Sequence, residues 1–504
     1  MSKTNDWPCT VKGCTRDDRA CMRLADAPTN PDEKVTFYEN PENGETVCGD
    51  YIQWLIDSMQ YQTAFTSEPT QSAEGEDESA DSLTPMMILE RLKKRVQGQD
   101  RACQAIATAI YGQRKNRELR VTHGDMLDKL DLDPEDVAKA NIFMPGPTGC
   151  GKTYIVKTVA KIVDEPFLVY RGTAGLTAAG YVGGNVEDIV EEYVAKVQEW
   201  MSDRKMPGAE DPRKVAEWIN TNGGIIAVDE VDKIAASKGT GKDVGGQAVQ
   251  DRLLTFMEGE EITIKLPHPS NPQAAVPVTI DTTHIQFILM GAFSPAGGGD
   301  NKDQSGLSQL PLKDIIKARR NTSSGGMDGR SGGAGKVDDA NLYLYAVEDD
   351  FVKFGFKPEF VGRIMGHFAP LRQLGETDLV NILTNVRGNP VAVEKAFFSV
   401  IGSDRGLPGF DLKFTDEALK LIAKLAADKG TGARGLKTVL RQTLSQIGFL
   451  APDMVGEYDE ILITEEIVKS QGMIVEDGEN RTFRKSGRRY LQQVSDNTDD
   501  DNDA

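Results

Sequence analysis

Asn141-Ile142-Phe143-Met144-Pro145-Gly146-Pro147-Thr148-Gly149-Cys150-Gly151-Lys152-Thr153 decides the fold of this chain. Ile142, Phe143 and Met144 form a short apolar run that reads as a buried strand. Gly146 to Thr153 complete a G-x-x-x-x-G-K-[ST] loop, and Ile155, Val156, Val159 and Val163 then recur at helical spacing. Strand, glycine loop and helix start together make a phosphate cradle. The glycines let backbone N–H groups converge on phosphate oxygens, and the helix N-terminus adds positive potential. Pro147, Thr148 and Cys150 fill variable places of the loop, and no catalysis is assigned to the Cys150 thiol. Lys152 reaches the terminal phosphates of a nucleotide in such a loop, and the Thr153 hydroxyl ligates Mg²⁺. The loop alone does not say what the nucleotide is used for.

Some 75 residues further on, Ile225-Ile226-Ala227-Val228-Asp229-Glu230 is an apolar strand ending in two adjacent acids. At a strand tip beside the phosphate loop, Asp229 suits Mg²⁺ coordination and Glu230 suits orienting or deprotonating the attacking water. Read alone, the pair would be a strand followed by a solvated acidic turn. Together the two motifs argue for ATP hydrolysis rather than binding only.

The chain has 504 residues, enough for about three domains. A net charge of −20 argues against a motor that tracks nucleic acid, which needs a basic groove. No apolar run approaches a membrane span, and the start, Met1-Ser2-Lys3-Thr4-Asn5-Asp6, lacks the apolar core of a signal peptide. A cytoplasmic protein with no membrane partner is expected. Residues 1–65 form a small N-terminal domain that holds four of the six cysteines. Residues 66–82 contain six acids, no base and no large apolar side chain, so they read as a flexible linker with nothing to bury. From 83 to 372, strand-like runs alternate with helical patterns, which suggests an α/β layer with a mostly parallel sheet. Within it, 296–337 is rich in Gly, Ser and Asn and reads as a mobile surface insertion. From 373 to 470 the patterns are mainly helical, as in Leu419, Ile422 and Leu425 after the cap candidate Thr415. The tail 471–504 carries Arg481, Arg484 and Lys485, ends with five Asp after Ser495, and is expected to be largely disordered.

Between the two ATP motifs lies Leu176-Thr177-Ala178-Ala179-Gly180-Tyr181-Val182-Gly183-Gly184. Here the chain resembles the ClpX-type AAA+ protein unfoldases, the motor subunits of the Clp protease. The resemblance runs from about Leu83 to 470. It extends to Val96-Gln97-Gly98-Gln99, to Asp229-Glu230-Val231-Asp232-Lys233-Ile234 and to Asp281 through Phe293. It also covers Phe354-Gly355-Phe356-Lys357-Pro358-Glu359-Phe360-Val361-Gly362-Arg363 and Thr431-Gly432-Ala433-Arg434-Gly435-Leu436. It implies an AAA+ large ATPase domain followed by a helical lid domain. It also implies a homohexamer that binds ATP and Mg²⁺ between subunits and threads substrate proteins through its pore. By this resemblance Val96 and Gln97 pack on adenine, and Gly180, Tyr181, Val182 and Gly183 grip the substrate. Arg363 is then the finger contributed to a neighbour's site, and Arg434 senses nucleotide state in its own. Asp243 to Gln250 fall where a second pore loop is expected. Read without the family, the glycine segment would be a turn with Tyr181 covering the core, and each arginine a surface ion-pair residue.

The chain departs from that family in three places. The family's N-terminal zinc domain has two C-x-x-C pairs, whereas Cys9, Cys14, Cys21 and Cys48 are spaced irregularly. Four thiolates suffice for a tetrahedral Zn²⁺ site; the alternative is a small domain with free buried thiols. The Ile/Leu-Gly-Phe tripeptide that docks a ClpP-type peptidase is missing from Ser294 to Glu348. Ile447-Gly448-Phe449 lies instead inside a predicted lid helix. The basic Arg-Lys-His pore-entrance loop is replaced by Pro267-His268-Pro269. Two further readings stay open. One is the motor of an HslU-type protease, which shares Gly-Tyr-Val-Gly. The other is a remodelling ATPase that meets no peptidase.

Overall fold

A computed structural model describes residues 37–39, 46–48, 82–171, 176–177, 184–235, 244–268, 271–294, 310–323, 339–476 and 481–485. The chain divides between Asp77 and Glu78 into two compact units. In the first, Phe37–Glu39 pairs antiparallel with Thr46–Cys48, Phe37 standing opposite Cys48. Cys9, Cys14 and Cys21 lie outside the described residues, as do Gly180, Tyr181, Val182 and Gly183.

The second unit is built on a parallel sheet of five strands: β1 (Ile142–Pro145), β2 (Phe167–Tyr170), β3 (Gly224–Val228), β4 (Ile285–Gly291) and β5 (His367–Phe368). Their order across the sheet is β5-β1-β4-β3-β2. Each central strand is fully buried and apolar, but for Gln286 in β4, because helices cover both faces. The two-residue period divides their side chains cleanly. Ile142, Met144, Ile225, Ala227, Ile288 and Met290 enter one core, with Ile155, Val156 and Val159 of α1 (Lys152–Ile162). Phe143, Ile226, Val228, Phe287 and Leu289 enter the other. In that second core Phe293 makes edge contacts with Phe143, Phe351, Phe354 and Phe356 at 5.2–5.8 Å. The layer is the parallel α/β arrangement expected from the strand-and-helix alternation, with every C-terminal strand end on the side of the phosphate loop.

At the opposite end of the sheet one ammonium group is partly buried. Lys139 Nζ donates to Thr282 O at 2.7 Å and sits 4.9 Å over the Phe287 ring, and burial pulls its pKa from 10.5 down to about 7. Asp281 opposes that shift and Arg120 adds to it. An unfolded chain keeps the proton to about 10.5, so between 7 and 10.5 it binds more protons than the folded one. Stability should therefore rise with pH across that window. Thermal unfolding followed from pH 7 to 10 should show this slope, and Lys139→Met should flatten it. Parallel curves for the two proteins would mean that the slope has another source.

Two expectations about the chain's outline change. Inside the Gly/Ser-rich stretch 296–337, Leu312–Ser323 is a helix whose Leu312 and Ile316 are fully buried, and Arg319 forks onto the buried Asp350 at 2.9 and 3.0 Å. The Leu312, Ile315, Ile316 stripe carries this helix; its polar, glycine-rich flanks obscured it. The lid is mainly helical, as expected, and also carries a small sheet. Helices Glu376–Thr384, Pro390–Ser399, Asp416–Asp428 and α2 (Ala433–Met454) pack on a sheet of β6 (Asp411–Phe414), β7 (Glu460–Ile463) and β8 (Phe483–Arg484). β8 is an ordered strand within the tail expected to be largely disordered. Phe483 is buried against Phe410 and Tyr458, while Arg481 and Lys485 reach over the Tyr458 ring. One apolar residue among cations carries no periodicity; the pairing with β7 supplies the order. Ile447-Gly448-Phe449 does lie within α2, with Ile447 buried and Phe449 exposed. Of the stretch 243–250, residues from Val244 onward are helical, and Gln250 turns inward to donate to Ile234 O at 2.9 Å.

Candidate active site

The phosphate loop runs from β1 into α1 and closes a cavity of about 590 Å³ between the large domain and the lid. Gly149 and Gly151 adopt φ of +76° and +101°, values that L side chains rarely accept. Beside Gly151 there is open space where a Cβ would point, whereas a Cβ on Gly149 would stand 2.0 Å from Thr431 O. The lid thus touches the loop backbone to backbone. Ala433 N–H, at the start of α2, donates to Gly149 O at 3.0 Å. Gly146 is equally confined, since a Cβ there would meet Leu371 Cβ at 2.7 Å.

The polar half of the cavity gathers Lys152, Thr153, Asp229, Glu230 and Arg434. Lys152 Nζ donates to Gly146 O at 2.6 Å and Pro147 O at 3.0 Å, so the lysine lies along the loop it belongs to. Thr153 Oγ1 donates to Asp229 Oδ2 at 3.1 Å, which brings the two expected Mg²⁺ ligands together. Asp229 Oδ1 accepts the Glu230 N–H at 3.0 Å. Glu230 itself takes left-handed backbone angles, φ 59° and ψ 32°, a conformation that costs a non-glycine residue about 1 kcal/mol or more. That turn exposes its side chain at the cavity wall while Val231 and Asp232 behind it are buried. Burial raises the Asp232 carboxyl above its usual range. The Cys150 thiol is likewise buried and pushed up, which keeps it protonated and inert.

The apolar half is formed by Val96, Leu374, Ile382, Val386 and Pro390, with Gln97 beside them. A donor-rich end and an apolar end joined in one cleft match the phosphates and the base of a nucleotide, and the Thr153–Asp229 pair matches a hard divalent cation. Arg363 is not at this cavity. It lies on Pro358–Ile364, its side chain 69% exposed, and its Nε is 2.9 Å from Glu258 Oε1.

Three features of the site were not read from the sequence. Gln99 is buried, and its Nε2 donates to Cys150 O at 3.3 Å and Arg372 O at 2.9 Å. It thereby ties the phosphate loop to the lid hinge. At that hinge Arg372 forks onto Asp378 at 2.7 and 2.8 Å. Burial alone would raise the Asp378 carboxyl, but the Arg372 fork and the Gly375 N–H outweigh it and hold it low. Arg171 enters the cavity beside Asp229. The signal for Arg171 was its place as the first residue past a strand; the other two depend on contacts between distant segments.

The family described as the AAA domain of the Cdc48 subfamily matches residues 137–366, and the C-terminal D2-small domain of ClpB matches residues 406–447. The ATP-dependent Clp protease ATP-binding subunit ClpX of Treponema denticola is 30% identical over 399 residues, covering 78% of this chain and 83% of that protein. The second family match falls on the lid that completes the cavity, so sheet, loop and lid agree. No described helix is long and apolar enough to cross a membrane. The chain therefore belongs to the ClpX-type AAA+ ATPases.

Proposed function

We propose that this ATPase works as a hexameric ring that unfolds protein substrates and threads them through its axial pore. The observation that carries the reading is the division of charged groups. Lys152, Thr153, Asp229, Glu230 and Arg434 converge on one cavity, while Arg363 stands exposed and away from it. An exposed Arg363 outside its own chain's cavity is placed to serve a neighbouring copy, the role that the ClpX resemblance gives it. ATP bound there would place its base against Val96, Ile382 and Val386 and its phosphates against the loop. Mg²⁺ held by Thr153 and Asp229 would neutralise charge on the phosphate oxygens. Lys152 would leave its own loop carbonyls for the terminal phosphates. The Glu230 carboxylate would orient a water and accept its proton. Arg363 from the neighbour would stabilise charge on the transferring group, so hydrolysis depends on assembly. Arg434 and the Ala433–Gly149 backbone bond would pass the change to the lid.

Work on the substrate is assigned to Tyr181, between Gly180 and Val182-Gly183. An aromatic ring on glycine hinges can press on any polypeptide without preference for sequence. Tyr181→Ala should keep ATP turnover and lose unfolding of a tagged reporter protein. A variant that unfolds the reporter at the native rate would remove the pore role. Delivery to a ClpP-type peptidase is the reading that the relative's name favours. Action without a peptidase is the second reading, favoured by the absence of Ile/Leu-Gly-Phe from Ser294 to Glu348. ATP-dependent degradation of the same reporter, with and without the peptidase chamber, separates the two.

A further inference from the structure

Arg171 is the first residue past β2, and β2 pairs with β3 so that Tyr170 lies opposite Val228. One step further along each strand, Arg171 comes beside Asp229. The Asp229 N–H donates to Tyr170 O at 2.8 Å, which holds the two tips in this register. Arg171 Nε stands 3.7 Å from Asp229 Oδ2, the oxygen that also accepts from Thr153 Oγ1. The other carboxylate oxygen is engaged by the Glu230 N–H. Asp229 is 15% exposed and constrained from both sides, whereas the Arg171 side chain is 61% exposed and can turn without disturbing the core.

A divalent cation held by Thr153 and Asp229 needs Oδ2. A guanidinium at the same oxygen repels that cation, and arginine cannot escape by losing its proton. We propose that Arg171 is a positioning residue that competes with Mg²⁺ for Asp229. It keeps the carboxylate compensated and aimed into the cavity, and it sets the Mg²⁺ concentration at which metal-dependent nucleotide binding is half complete. The proposal rests on the reading of the cavity as a Mg²⁺–nucleotide site.

Equilibrium binding of a fluorescent ATP analogue to the full-length protein, titrated with Mg²⁺, tests it without any turnover. Arg171→Gln should lower the half-saturating Mg²⁺ concentration about fivefold, the size expected for removing a partly solvated like charge at this range. Arg171→Lys, which keeps the charge, should restore most of the native midpoint. An Arg171→Gln midpoint equal to or above the native one overturns the competition while leaving the nucleotide site intact. A native protein that binds the analogue with no dependence on Mg²⁺ overturns the underlying reading as well.

Discussion

Replacing Glu230 by Gln is expected to cut ATP turnover by roughly 10²–10⁴-fold, the usual contribution of a positioned base, and to leave nucleotide binding nearly unchanged. The geometry separates the two functions. Binding rests on loop N–H groups, Lys152 and the apolar wall of Val96, Ile382 and Val386, and the Glu230 carboxylate belongs to none of them. Gln keeps the volume and removes the proton acceptor. The left-handed backbone at Glu230 offers a second, independent reading. Glu230→Gly should lose the same turnover yet gain about 1 kcal/mol in folding stability, because glycine takes φ of 59° without strain. Phosphate release, analogue binding and thermal unfolding on the same three proteins give the comparison. Native turnover in Glu230→Gln would exclude Glu230 from the chemistry. A Glu230→Gly protein less stable than native would mean that the carboxylate, rather than its backbone, is what the fold needs there.

Arg363→Ala should lower turnover by about 10³-fold, the lower end for an arginine finger. Loss alone does not say whose site the guanidinium serves, but mixing does. An Arg363→Ala subunit retains Glu230; a Glu230→Gln subunit retains Arg363. If the finger acts between copies, mixing the two inactive proteins rebuilds complete sites at some interfaces and activity returns. If Arg363 acts within its own chain, each protein stays inactive in the mixture. The exposed position of Arg363 beside Glu258 favours return of activity. The ion pair with Glu258 is exposed on both sides and contributes little to stability, so the substitution should leave the fold intact.

Much of the fold was legible because it is local. Ile142 to Thr153 and Ile225 to Glu230 are short segments whose strand, loop and strand-tip characters follow from composition and period. The alternation of strands with amphipathic stripes pointed to a parallel layer, and Phe143 against Ile142 and Met144 shows why: successive residues face opposite cores. The helix at Leu312–Ser323 and the strand at Phe483–Arg484 were hidden for one shared reason. Each is a brief apolar signal inside a polar stretch: the Leu312, Ile315, Ile316 stripe is buried only against distant segments, and the strand is ordered by its pairing with β7.

Sequence alone determined the order of chemical parts: phosphate loop, glycine–tyrosine segment, acid pair and two arginines. Backbone chemistry requires the loop and acid-pair residues in those short spacings, so a linear reading suffices for them, whereas the glycine–tyrosine segment and the two arginines take their roles from the ClpX resemblance. Tertiary structure decided which parts meet. It set Ala433 on Gly149, fastened the lid hinge through Gln99, Arg372 and Asp378, and kept Arg363 out of its own chain's cavity. It also brought Arg171 to Asp229 across two strand tips separated by 58 residues. Contacts of that kind depend on sheet order and on burial of surfaces from distant segments, which no window of sequence contains.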